Sequence, residues 1–304
     1  MRSKNASKTD ISHLAWLAFF MLLLVLTLSS IVIEDATWGY VYFFLVATTL
    51  FIFLLSHVKG TKQGAEFILF SPKNGVPFYV QLIAGFSLGF VLTDSILFGT
   101  NFLTFLSPLA VPKVTAPLGV LGVEVLSGIF LMSIVVAEIE ESFRSSALRP
   151  TLVEWMENPK LATVFLMALA VIGYAMFPPL RYFLGLLFLL GIVNAFFGWK
   201  MLEPFFKNKL FRHALSIFAV ALVFGFLHLK LFSTGMANEQ IMVNAFLFAI
   251  IADVINWRLK STVSGKIAHC WNNGVVMCAA SGAPVVYGVL MAVIYAGILW
   301  VMQK

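Results

Sequence analysis

Chemistry in this chain concentrates in a few polar residues set among long apolar runs. The first group is Ala137-Glu138-Ile139-Glu140-Glu141-Ser142-Phe143-Arg144. On a helix Glu140 and Arg144 lie four apart and share a face, while Glu141 projects about 100° away. Two carboxylates beside a guanidinium suit general acid–base work, because the cation holds one ionised while the other keeps a proton available. The second group is Phe224-Gly225-Phe226-Leu227-His228, whose imidazole exchanges protons near neutral pH. The third is His269-Cys270-Trp271-Asn272-Asn273, where the four-residue spacing of His269 and Asn273 points two hydrogen-bond donors the same way, as an oxyanion site requires.

The elements that must position these groups follow from composition. The chain has 304 residues, 61% of them hydrophobic and 11% charged, with mean hydropathy +0.96, against about a quarter charged in soluble domains. Ten apolar segments of about spanning length are predicted at 13–33, 39–58, 78–98, 118–140, 161–177, 181–202, 214–234, 241–257, 267–283 and 285–302. With a cytoplasmic N-terminus, 17 of the 20 Lys and Arg residues fall on the inner side, against Lys113, Arg181 and Lys230. The expectation is an all-α polytopic membrane protein with about ten transmembrane helices and both termini cytoplasmic. It would sit as one multi-pass domain over 1–304 in an inner or plasma membrane. The basic N-terminal stretch reads as leading into a first membrane helix rather than a cleaved signal.

The net charge of +6 is spread singly between apolar runs, which argues against nucleic acid as a partner and for the bilayer. Cys270 and Cys278 lie eight apart in one apolar stretch, a spacing that excludes a CxxC zinc site. Acids and polar groups at membrane depth cost at least about 2.5 kcal/mol by insertion scales, which singles out Asp94, Glu124 and the Asp253/Asn256 pair. Each of these reads as a satisfied or snorkelling polar group.

The second and third groups match FxxxH and HxxxN. With the double glutamate they make the chain resemble the CAAX protease and bacteriocin-processing (CPBP/Abi) family of glutamic-type intramembrane proteases. The likeness is fullest over about 200–285. Here the glutamate motif is EExxR, one residue shorter than the family's EExxxR, and 88 residues separate Glu140 from His228. A hairpin inserted at 161–202 would account for that interval, with 1–117 as three N-terminal spans and 118–304 as the motif-bearing helices. Glu203, in Glu203-Pro204-Phe205-Phe206-Lys207, is a rival for the catalytic glutamate because it ends the helix just before the one carrying His228.

The resemblance implies an endopeptidase acting on a membrane-associated protein or peptide. Glu140 or Glu141 with His228 would activate a water, His269 and Asn273 would hold the oxyanion, and Arg144 would orient the carboxylates. No cofactor is expected. Two histidines and a glutamate could also ligate zinc, although HExxH is absent. A transporter with protonatable groups in its core, or an inactive relative that binds membrane partners, stays open at this point.

Overall fold

The computed structural model describes residues 75–98, 123–176, 181–227 and 238–302. The expected spans 13–33 and 39–58 and His228 lie outside them. All regular structure among the described residues is helical. In chain order the helices are α1 (Phe78–Phe98), α2 (Val123–Phe130), α3 (Val136–Glu141), α4 (Arg149–Trp155), α5 (Pro159–Met176), α6 (Arg181–Phe196), α7 (Glu203–Lys207), α8 (Lys209–Leu227), α9 (Asn238–Leu259), α10 (Val263–Ser281) and α11 (Val286–Met302). Two π-helical segments, Leu131–Val135 and Ser142–Leu148, join α2, α3 and α4 into one rod. Such segments recur at functional sites because the wider turn displaces backbone carbonyls and side chains.

Apolar runs of spanning length located most of the longer helices, but not the short α4 and α7. The predicted 78–98 coincides with α1, and the predicted 181–202, 241–257 and 285–302 overlie α6, α9 and α11. Gly282, at φ 70°, ends α10 in a left-handed cap whose next residue, Ala283, donates to the Cys278 carbonyl at 2.8 Å. Among the described residues no helix is long and apolar enough to cross a membrane. The expectation of all-α structure holds, and that of single spanning helices is not met there. α6 and α11 have only 16 and 17 residues, and polar groups interrupt α9 (Asp253, Asn256) and α10 (Lys266, His269, Asn272, Asn273).

α10 is the central element, packed against α1, α3, α9 and α11. It meets α11 at glycines: a Cβ on Gly274 would stand 2.8 Å from the Gly288 Cα, so the crossing requires bare backbone on both helices. The α5–α6 hairpin lies to one side, joined to the bundle through Leu169, Leu184, Ala219 and Leu222. Polarity is distributed unusually for a fold in water. Glu141, Arg144, Asp253, Asn256, Lys266 and His269 are buried. Tyr182 is 95% exposed, Phe196 86% and Val301 64%.

Candidate active site

The rod from α2 to α4 brings Glu138, Glu140, Glu141 and Arg144 against α9 and α10. His269, nearly two turns into α10, stands between two carboxylates. Its Nδ1 is 3.2 Å from Glu141 Oε1, and its Nε2 is 3.3 Å from Glu140 Oε2. The ring is held edge-on by Phe248 (4.9 Å between centroids) and Phe224 (5.9 Å), so the first aromatic of the FxxxH pattern touches the histidine of the HxxxN pattern.

The two glutamates differ sharply in surroundings. Glu141 is fully buried and both its oxygens are engaged: Oε1 by the Arg144 guanidinium and His269, Oε2 by Asn256 Nδ2 at 3.3 Å. Burial opposes ionisation of this carboxylate, and the donors around it favour its ionised form. Glu140 keeps partial exposure, and its Oε2 faces His269 without a hydrogen bond. One glutamate is therefore a fixed charge, and the other has an oxygen available for chemistry.

Arg144 departs from the expected pairing with Glu140 four residues before it. Its guanidinium turns instead to the buried face, where it meets Glu141, the Asp253 carboxylate (2.8 Å) and the Ala249 carbonyl (2.8 Å). It also lies over the Phe224 and Phe248 rings at 5.2 and 5.7 Å. A buried cation goes where the most acceptors and ring faces are, and these are on α9 rather than at the helix surface to which the i,i+4 rule applies.

Asn273 lies on the same side of α10 as His269, as the spacing predicts, but its amide donates to the Met132 carbonyl at 3.1 Å. That carbonyl belongs to the first π-helical segment. The amide nitrogen carries two protons, and this bond uses one of them.

Sequence reasoning missed a second charged layer one turn away. Lys266, placed by sequence at an inner helix end, is fully buried and donates to Glu138 Oε1 at 2.6 Å. Ser142 donates to the same oxygen at 2.8 Å, and the Tyr295 hydroxyl donates to Oε2. The only sequence signal was the expense of Lys266 and Glu138 in apolar surroundings, which says nothing of their mutual contact.

Glu203 stands elsewhere. It opens α7, which packs on α5 and α8, and pairs with Lys207 at 2.7 Å on the surface. The hydrogen bond from the Lys207 ammonium holds its carboxyl below the usual range. Exposed i,i+4 pairs contribute little, so Glu203→Gln is expected to leave the thermal midpoint within about 1 °C and any catalytic activity unchanged, read by differential scanning fluorimetry and by turnover. The side chains of Asp94 and Glu124 lie outside the described set, and so does His228. Among the described residues no group of three His, Cys, Asp or Glu side chains is placed to hold a metal ion. No family model, no curated protein and no solved structure matches this chain.

Proposed function

We propose that the chain is an intramembrane endopeptidase that hydrolyses a peptide bond in a membrane-associated protein or peptide. One observation carries the reading: the buried His269 is held between Glu140 and Glu141, with Glu141 fixed and Glu140 available. The pattern resemblance to the CPBP family adds to it. An inactive relative would be expected to keep its glutamates out of reach of the histidines, whereas both reach His269.

In this scheme Glu141 accepts from His269 Nδ1–H and fixes the ring, as the buried acid of a triad does. Glu140, with His228, takes a proton from water as the oxygen adds to the carbonyl carbon. His269 in its imidazolium form, with a proton on each ring nitrogen, offers Nε2–H to the oxyanion together with the second amide proton of Asn273. Collapse breaks the C–N bond, and the proton held by Glu140 passes to the departing amine. No covalent intermediate forms.

Bilayer residence belongs to the same proposal. It is supported by the outward-facing aromatic and aliphatic side chains of α5, α6 and α11 around a charged interior, by the 61% hydrophobic composition and by the one-sided distribution of Lys and Arg. Substrate would then reach Glu140 laterally or from the inner side.

The test uses the protein in proteoliposomes with internally quenched peptides, farnesylated and unmodified. The scheme expects cleavage by the wild-type chain and its loss in His228→Ala. Cleavage retained by His228→Ala would sink it.

A further inference from the structure

Asp253 and Asn256, three apart on α9, are fully buried, and the water-activation scheme gives them no role. They face Glu141 and Arg144, also three apart, on the rod. Arg144 pairs with Asp253 at 2.8 Å and Asn256 Nδ2 donates to Glu141 Oε2 at 3.3 Å, so the two pairs meet residue for residue. Ser145 closes the square: its hydroxyl donates to Asp253 Oδ1 and accepts from Asn256 Nδ2 at 3.1 Å. Arg149 donates to the Asp253 carbonyl at 2.9 Å.

A separate feature shows how tightly this square is built. The Asn256 side-chain oxygen accepts from the Gly265 N–H at 3.0 Å, satisfying a donor in the first turn of α10. A Cβ on Gly265 would lie 2.5 Å from both Glu141 Oε2 and Asn256 Nδ2. Nothing larger than glycine fits beside the carboxylate. The same amide thus ties α3, the second π-helical segment and α10 together around Glu141.

We infer that Asp253, Asn256 and Ser145 are positioning residues that fix the orientation and the charge of the Glu140–Glu141 pair. Asp253 compensates Arg144 and keeps that guanidinium from over-stabilising the glutamates as anions. Asn256 supplies the donor that keeps Glu141 ionised. This rests on the proposed role of the two glutamates, but it makes its own claim about their protonation. Among the described residues, the charged and titratable groups around the pair are Glu138, Arg144 and Arg149 on its own segment, Asp253 from α9, Lys266, His269 and Cys270 from α10, and Tyr295 from α11 acting through Glu138.

The test is labelling of the reconstituted full chain with dicyclohexylcarbodiimide, which modifies protonated carboxyl groups in apolar surroundings, mapped by peptide mass spectrometry as a function of pH. Asp253→Asn removes a negative charge without changing shape, so the fraction of the Glu140–Glu141 pair labelled at a given acidic pH should fall. Asn256→Ala removes a donor from the ionised form, so the labelled fraction of Glu141 at a given acidic pH should rise. Glu138, held separately by Lys266, Ser142 and Tyr295, should not move. Unchanged labelling in both variants, or all three glutamates shifting together as general loosening would cause, overturns the inference. The isosteric Asp253→Asn decides the matter if Asn256→Ala does not fold. Labelling needs no substrate, so a failure to cleave peptides would count against the proposed function and not against this inference.

Discussion

Arg144→Met is expected to lower stability by about 3–5 kcal/mol, the range found when one partner of a buried ion pair is removed. The guanidinium is 2% exposed and compensates two carboxylates that are themselves fully buried. Removing it takes the shared cation from Glu141 and Asp253, leaving Asp253 only the more distant Arg149 at 3.8 Å, and it strips the cation from the faces of Phe224 and Phe248. Lys in its place retains the charge but loses the planar fork that reaches Glu141, Asp253 and the Ala249 carbonyl at once, so Arg144→Lys should recover only part of the loss. Chemical denaturation in detergent micelles measures both. An Arg144→Met midpoint equal to the wild type would mean that the buried cluster is not formed as described.

The second large effect concerns rate. Glu140→Gln and His269→Gln are each expected to lower kcat by about a thousandfold, within the range for loss of a general base and of an oxyanion donor respectively. KM should hardly change, since neither residue is asked to bind the ground state. The double variant should be about as impaired as either single one, because the base and the oxyanion donor, 3.3 Å apart, act as a unit in the same addition step. Multiplicative losses would show instead that they act independently. Thermal midpoints should separate the two glutamates: Glu140→Gln stays near the wild type, whereas Glu141→Gln leaves Arg144 short of a buried anion and unfolds earlier.

Much of this arrangement was legible in the sequence. Apolar runs located α1, α5, α9, α10 and α11 to within a few residues, but gave no sign of the short α4 and α7. Motif and spacing singled out Glu140, Glu141, Arg144 and His269, while the cost of polar groups among apolar residues marked Asp253 and Asn256 only as satisfied or snorkelling groups; the structure brings all six together. Helical periodicity says which residues share a face but not which faces meet. The pairing of Arg144 with Asp253 across 109 positions, and the bridging role of Ser145, could not be derived from spacing. Lys266 was illegible for a related reason. A lysine near a helix end reads as a solvated charge until the helix beside it is known to present Glu138. The two π-helical segments also left no periodic signature, although the first supplies the carbonyl that receives Asn273.

The central claim is that Glu140, poised against His269, activates the water that cleaves a peptide bond. Its most direct test is turnover of the quenched peptides in proteoliposomes by two variants side by side, Glu140→Gln and Glu203→Gln. The account predicts loss of cleavage in the first and wild-type cleavage in the second. Cleavage that survives Glu140→Gln, or that is abolished by Glu203→Gln, would contradict it.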